Sequence, residues 1–574
     1  MKEDVDQRIL GAVSVINAPD AVKAQAEANG VAAIDLLLQD YNRGDAPGLV
    51  IGIARHGKLL CSRALGMASL EQGVANTLHS RMRIASTSKH FTALAIMLLA
   101  EDGRLSIDDA IQRYLPELPQ LAASGPTLRQ LLNHTSGWRG HDELSSLAHG
   151  LTLQPAEQAM TSMARQSELN FEPGSQMIYS NGGYHMLAKI VERVSGKSFA
   201  QFLTQRILEP LGMLDTESVA SDLEIHPGLA GLYWKSSPDG GWRRGIYPVD
   251  LEGGGSLIST VGDMLRWLVH LRDPNKRVGS AASWAQMLAP TTLSSGCVLP
   301  YGFGLMRHLY RGVEVIHHAG GVIGGASQML TVPAHGLDII IIANGAMVSP
   351  QALAYQVVDA LLADELPEPP EERVPIKAYP ALPGHRYHAP ATGEMIGFTD
   401  VGGKLGLSWL NSRPVGLRQR NGSIWLPTSD LAISPLEIDV SEINPELVPD
   451  TIALSEGGQV RQFRRLPDTA PSVTALASQL CGDYWAPDLG ATANIALQGD
   501  RLALTMQGKH GSNLLYLQAL SEDVMSMASP DPLMSALGAG GILNVERMTG
   551  LVVGLRLDSI RLRKLHLIRT KVVA

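Results

Sequence analysis

Residues 89–100 read Lys-His-Phe-Thr-Ala-Leu-Ala-Ile-Met-Leu-Leu-Ala and stop at Asp102-Gly103-Arg104. An alanine- and leucine-rich run of that length, closed by a glycine, predicts a buried helix around which a core must form. Immediately before it stands Ser86-Thr87-Ser88-Lys89. This spacing sets Ser86 at the first turn of the helix and Lys89 one turn on, on the same face. The partial positive charge of a helix N-terminus disfavours a second positive charge on Lys89. Burial acts in the same direction, so a neutral amine able to accept the Ser86 proton is predicted. First-turn amides lack an intrahelical partner, which makes the Ser86 N–H a candidate oxyanion donor. Taken alone, the segment is equally well explained by a serine N-cap followed by a solvated lysine.

Two more clusters follow. Tyr179-Ser180-Asn181 lies between the turn-rich Phe171-Glu172-Pro173-Gly174-Ser175 and Gly182-Gly183-Tyr184, with an apolar helix expected from His185 to Val194. On a loop before a helix, Tyr179 and Asn181 can point into one cleft. Tyr179 is then a general base or acid if a nearby lysine lowers its pKa, and Asn181 a hydrogen-bonding partner for substrate amide and lysine. The third cluster, Val313 to Gly321 with His317-His318-Ala319-Gly320, continues through Gly324-Gly325 to Met329-Leu330-Thr331-Val332 and reads as strand, turn, strand. Glycines on an edge strand suggest close approach of a ligand backbone, with the Gly321 N–H as a second oxyanion donor. Neighbouring residues on a strand face opposite sides, so His317 and His318 cannot share an ion, and no metal is expected.

The three clusters, in this order and at these separations, resemble the penicillin-recognising serine hydrolases: class C β-lactamases, D-Ala-D-Ala carboxypeptidases, related esterases and D-stereospecific aminopeptidases. Leu131-Leu132-Asn133-His134-Thr135-Ser136-Gly137, Glu172-Pro173-Gly174, Gly253-Gly254-Gly255-Ser256 through Asp263-Met264, and Tyr301-Gly302-Phe303-Gly304 are similar to segments of the same family. The resemblance covers roughly residues 35–365 and implies Ser86 as nucleophile, Lys89 as its proton acceptor and Tyr179 as the acid/base serving the leaving group. It further implies substrate contacts from Asn181, His318 and Gly320. The β-lactamases and carboxypeptidases usually carry lysine where His318 stands. A histidine is mostly neutral at pH 7, which weakens carboxylate capture and favours the aminopeptidase or esterase branches. It also raises the expectation of a pH dependence near neutrality.

At 574 residues the chain exceeds one hydrolase domain. The acidic, proline-rich Glu365-Leu366-Pro367-Glu368-Pro369-Pro370-Glu371-Glu372 marks a linker, and a second break falls near Pro467–Pro471. The two tail segments look like copies. Tyr387-His388-Ala389-Pro390 aligns with Tyr484-Trp485-Ala486-Pro487, and Gly393, Gly402, Leu405 and Leu407 align without a gap with Gly490, Gly499, Leu502 and Leu504. Both alternate apolar and polar residues between turns, as half-buried antiparallel strands do. The expected fold is therefore α+β. A serine β-lactamase/transpeptidase-like domain, an antiparallel sheet flanked by helices, is followed by two small antiparallel, lipocalin-like β-barrels. The expected divisions are a helical extension at 1–34, the hydrolase domain at 35–365, a linker at 366–383, and barrels at 384–467 and 474–574.

That layout resembles the D-stereospecific aminopeptidases, in which a barrel loop reaches the active-site mouth. The candidate here is the tip Gln507-Gly508-Lys509-His510-Gly511-Ser512. Relatives of this layout also suggest a homodimer. A net charge of −9 gives no electrostatic footprint for nucleic acid or an anionic membrane. The longest apolar stretch is too short to span a bilayer, and the first residues lack a basic leader region, so a cytoplasmic protein is expected. Cys61, Cys297 and Cys481 are widely spaced and odd in number, as free thiols in a reducing compartment would be. The reading is a cofactor-free serine hydrolase acting through an acyl-enzyme on small peptides or amides, foremost at the N-terminal end of short peptides containing D-residues or of non-ribosomal origin. A carboxylesterase or acyltransferase of the same fold, and an inactive binder of peptidoglycan fragments, are the alternatives.

Overall fold

A computed structural model describes residues 18–237, 239–345, 347–367, 373–420, 423–427, 435–536 and 540–571. Of the sequence expectations, the first part of the N-terminal extension (1–17) and the centre of the linker (368–372) lie outside the described residues.

The elements that position the site are, in chain order, α1 (Ala18–Leu38), β1 (Leu49–Arg55), β2 (Lys58–Leu65), α2 (Lys89–Glu101), α3 (His141–His149), α4 (Asn181–Ser195) and α5 (Val261–Arg272). They continue with β3 (Met306–Tyr310), β4 (Val313–Val322), β5 (Gly325–Val332), β6 (Leu337–Ala343) and α6 (Pro350–Leu361). The six strands form one antiparallel sheet in the order β3-β4-β5-β6-β1-β2, so the sheet's first strand in sequence pairs with its last. Strand alternation sorts the residues of β1 and β6 onto two cores. Leu49, Ile51, Ile53, Ile339 and Ile341 face α1 and α6, whereas Val50, Ile340 and Ile342 join the larger core built on α2, α4 and α5. Gly30 lets α1 approach α6 closely, since a Cβ there would lie 2.8 Å from Leu361 Cδ2. The N-terminal helix is thus part of the hydrolase layer, with Ile34 and Leu38 buried in it.

Each tail segment is a closed eight-stranded antiparallel barrel. The first runs from Arg386–Ala389 to Gln459–Arg465 and closes through Tyr387 opposite Arg465; the second runs from Gly482–Ala486 to Leu565–Arg569 and closes through Tyr484 opposite Arg569. The two tyrosines aligned in the sequence therefore occupy the same closing position, and both are fully buried.

The second barrel is fastened to the hydrolase domain by a buried guanidinium. Arg139 has no exposed side-chain surface. It pairs with Asp488 and Glu168 and donates to the carbonyls of Arg563 (3.0 and 3.1 Å) and Lys564 (3.0 Å). Asn170 holds the same loop from two sides, donating to the Arg561 carbonyl (3.1 Å) and accepting from the Arg563 N–H (2.8 Å).

Candidate active site

Ser86 lies in a 3-10 turn, Ala85–Ser88, that runs straight into α2. Ala85 adopts a left-handed conformation with φ of 48°, costing about 1–2 kcal/mol for a residue with a Cβ. Phe91, Leu94, Ile96, Leu98 and Leu99 of α2 are all buried. At about 1.5–3 kcal/mol for each such side chain, their burial outweighs the strain. The turn is also tied to the sheet. Thr87 Oγ1 donates to the His318 carbonyl (3.1 Å), and Ser327 Oγ donates to the Ile84 carbonyl (2.7 Å). Gly320 is required at this junction, because a Cβ there would collide with the Ile84 carbonyl. Its glycine identity is thus accounted for by strand-to-turn packing, a reason the sequence reading did not supply.

Lys89 is completely buried, and its Nζ has three neighbours: Asn181 Oδ1 at 2.7 Å, the Gly254 carbonyl at 2.6 Å and Ser86 Oγ at 3.2 Å. The Gly254 carbonyl can only accept. Asn181 presents its oxygen because its Nδ2 donates to Asp142 Oδ2 at 2.6 Å. Burial, with the Arg561 guanidinium adding to it, pushes the Lys89 pKa well below that of an ordinary lysine. A neutral amine has two N–H donors for the two fixed acceptors, and its lone pair is then left for the Ser86 hydroxyl. The glycine-rich turn that supplies the Gly254 carbonyl wraps closely on α4. Gly253 has φ of 76°, and a Cβ there would strike the Tyr184 carbonyl.

Ser180 caps α4 by accepting from the Gly183 N–H, so Tyr179 precedes the helix and Asn181 opens it. The helix begins four residues before the apolar run suggested, since the cap and the two glycines are absorbed into its first turn. The Tyr179 ring lies 4.7 Å from Lys89 Nζ and 4.2 Å from the His134 ring. Its hydroxyl is buried and lies beside the Ser86 hydroxyl. Burial drives its pKa up, with the nearby Ser86 hydroxyl offsetting part of the rise. Tyr179 is therefore a neutral phenol, not the lysine-activated phenolate that the sequence allowed.

His318 differs from expectation in its surroundings. Its Nδ1–H donates to the Ala319 carbonyl (2.6 Å), leaving Nε2 to accept from the Tyr301 hydroxyl (3.1 Å). Tyr301 in turn accepts from His134 Nε2 (3.1 Å), whose Nδ1 accepts from the Ser180 N–H (3.2 Å). Each donor in this chain meets one acceptor, which fixes both histidines as neutral tautomers. Burial holds the His318 pKa down at about 3, so the expected titration near neutrality is not a property of this residue. Only 4% exposed, His318 braces β4 against the Tyr179–Asn181 loop and does not present a cation to the cleft. His317 faces the other way, to His308 and Gln328.

β4 is not an edge strand, as the glycine pattern suggested, but the second strand from the edge. Its partner β3 ends with Met306 opposite His317, so β3 leaves His318–Val322 unpaired. Gly321, in that uncovered stretch, is exposed, with nothing within 4 Å of where a side chain would project.

Five residues at the site were not singled out from sequence. His134 and Tyr301 fell within segments noted for resemblance but given no role. Asp142 and Glu143 open α3, with Asp142 Oδ1 and Glu143 Oε2 both over Gly140, whose missing Cβ gives them room. Mutual repulsion makes this pair share one proton. Against burial, the proton held by Glu143 does most to keep Asp142 below the usual carboxylate range, with the Asn181 donor adding to it, and burial beside that charge raises Glu143. The last, Arg561, comes from the second barrel's 559–564 loop, lies 4.9 Å from the Tyr179 ring centroid and donates to Glu143 Oε1 at 3.1 Å. The expected tip, 507–512, sits elsewhere, on the far end of α3, where the Gly508 N–H donates to the Ala148 carbonyl and Asn513 to the Ser146 carbonyl.

A serine hydroxyl 3.2 Å from a buried lysine amine, in a sheet-and-helix scaffold of this topology, fits a serine hydrolase. The chain belongs to the β-lactamase family, whose model matches residues 25–362. It is similar to a D-aminopeptidase of Brucella anthropi, 31% identical over 290 residues that span 49% of this chain and 53% of that one. A D-aminopeptidase of Brucella melitensis biotype 1 is 25% identical over 546 residues, spanning 91% of this chain and 96% of the relative. Among solved structures, the octameric penicillin-binding protein homologue from Pyrococcus abyssi matches in fold with a TM-score of 0.53 at 21% identity, over 76% of this chain and 99% of that one.

Proposed function

We propose that the protein is a serine aminopeptidase that cleaves short peptides or amides, foremost those with a D-residue at the N-terminus, through an acyl-enzyme on Ser86. The observation that carries this reading is the setting of Lys89 Nζ, fully buried, 2.7 and 2.6 Å from two fixed acceptors and 3.2 Å from Ser86 Oγ, so that a neutral amine there turns its lone pair to that hydroxyl. Lys89 takes the hydroxyl proton as Ser86 attacks the scissile carbonyl, and the Ser86 and Gly321 N–H groups receive the oxyanion. The neutral Tyr179 phenol gives its proton to the departing nitrogen and is reprotonated from the Lys89 ammonium. Water then enters by the reverse route and releases the acid. Asn181 fixes the Lys89 amine and contacts the substrate amide.

The peptidase side of the reading is supported by D-aminopeptidase relatives matched over 91% of this chain. A silent binding protein has no use for a buried amine kept uncharged at this cost.

The test is kcat/KM of wild type and Ser86→Ala on matched D- and L-alanine p-nitroanilides with free amines. The expected result is turnover with a preference for D that falls at least about 1,000-fold in Ser86→Ala. Equal rates in the two proteins would overturn the assignment of Ser86.

A further inference from the structure

A peptide that loses its N-terminal residue also presents a leaving residue, and the surroundings of Tyr179 bear on what that residue carries. Arg561 reaches over the Tyr179 ring at 4.9 Å with 43% of its side chain exposed. Among the described residues its guanidinium makes one hydrogen bond, from Nη1 to Glu143 Oε1. That leaves Nε and Nη2, the two parallel donors on one edge of the guanidinium, which match the two oxygens of a carboxylate.

The guanidinium is also held in place. The 559–564 loop is gripped by Arg139 and Asn170 of the hydrolase domain through the carbonyls of Arg561, Arg563 and Lys564. Next to Arg561, Arg563 lies over Trp409 of the first barrel and 3.6 Å from Glu394. Three domains therefore fix one side chain at the acid/base, a degree of preorganisation that a loop bordering solvent does not otherwise need. The other basic groups nearby are committed elsewhere: Nζ of Lys89 to Asn181, Gly254 and Ser86, and both ring nitrogens of His318 to Tyr301 and Ala319.

We infer that the Nε/Nη2 edge of Arg561 binds the free α-carboxylate of the leaving residue, so that the preferred substrates are dipeptides with an unblocked C-terminus. This rests on the aminopeptidase reading above. Bond lengths of 1.46 Å and 1.52 Å put an α-carboxylate carbon about 2.5 Å from the departing nitrogen. A group receiving a proton from the Tyr179 hydroxyl and a group reaching the cation over the Tyr179 ring can thus belong to one residue. In a longer peptide the carboxylate lies several residues away and misses the guanidinium, and in an amide it is absent.

The experiment separates binding from turnover. In the Ser86→Ala protein, calorimetry with D-alanyl-D-alanine and with its C-terminal amide reads carboxylate recognition whether or not the bond is cleaved. The expected result is at least tenfold tighter binding of the free acid. That preference should disappear in Ser86→Ala/Arg561→Gln and be only partly retained in Ser86→Ala/Arg561→Lys, because an ammonium keeps the charge but not the paired donors. Equal affinities, or a preference that survives Arg561→Gln, would overturn the inference. Wild-type turnover of the same two compounds tests the aminopeptidase reading separately. An acid-selective but inactive protein would sink that reading and keep the Arg561 site. An active protein indifferent to the carboxylate would do the reverse.

Discussion

The two barrels share a topology and a closing tyrosine, yet the same turn does a different job in each. In the first barrel the turn after Tyr387-His388-Ala389-Pro390 rests on the second barrel. Asn544 donates to the Gly393 carbonyl (3.1 Å) and accepts from His388 (2.8 Å). In the second barrel the equivalent turn rests on the hydrolase domain, where Asp488 pairs with the buried Arg139 and Arg165 donates to the Leu489 carbonyl (2.7 Å). The residue aligned with Asp488 is Ala391. One module thus docks twice through one turn, and a single carboxylate marks the copy whose later loop carries Arg561 to Tyr179. The first barrel also has a buried charge cluster, with Arg461 between Glu394 and Glu456; it reaches the site loop only at one remove, through Glu394 at 3.6 Å from Arg563, and Arg461 itself pairs only within the barrel among the described residues.

Removing one partner of each cluster puts that difference under test. Arg139→Met strands the buried Asp488 carboxylate and releases the loop carbonyls, so a loss of about 3–5 kcal/mol in urea unfolding is expected, together with a fall in kcat/KM. Arg461→Met breaks a pair of similar burial and should cost a comparable stability while leaving kcat/KM of the folded protein within twofold. If Arg461→Met impaired catalysis as strongly as Arg139→Met, the division of labour between the barrels would be wrong. Asn544→Ala, at the contact between the barrels, should cost about 1–3 kcal/mol through the buried groups it leaves unpaired, again read by urea unfolding, with activity intact. The smallest effect is expected at the 507–512 tip. His510→Ala should change kcat/KM on short substrates by less than twofold, because that hairpin sits at the far end of α3 from Arg561.

A pH titration sharpens the same account. The His318 pKa is held down at about 3, below the ordinary 6.5 of histidine. Between those values the unfolded chain binds a proton that the folded protein does not, so stability contributed by neutral His318 is lost as pH falls from about 6.5 toward 3. His318→Gln should flatten the acid limb of the stability profile without moving any activity limb between pH 6 and 8.

Much of this architecture was legible in the sequence because it rests on local signals. The apolar run of α2, the cap at Ser180 and the strand alternation of both tails are read from neighbouring residues. Ser86, Lys89, Tyr179 and Asn181 could be named together because short motifs carry them. The behaviour of Tyr179 and His318 was not legible, since burial and a four-member hydrogen-bond chain set it, and those partners lie up to 184 residues apart between His134 and His318. Arg561 was out of reach for the same reason. It stands in a basic Arg-Leu-Arg-Lys stretch that reads as a solvated loop, and only the docking of the second barrel through Asp488 brings it to the cleft. The 507–512 tip was the more loop-like sequence, but it closes a hairpin on the wrong end of α3.

The central claim is that Lys89 is a neutral base at physiological pH. It is tested most directly by the pH dependence of fluorophosphonate labelling, with the added mass located on the Ser86 peptide. The expected result is a second-order rate constant that reaches its plateau well below the pH at which an ordinary lysine titrates and falls only on the acid side, in keeping with the depressed pKa of Lys89. A rate that climbs steadily toward pH 10, as an ordinary lysine losing its proton would impose, would contradict it.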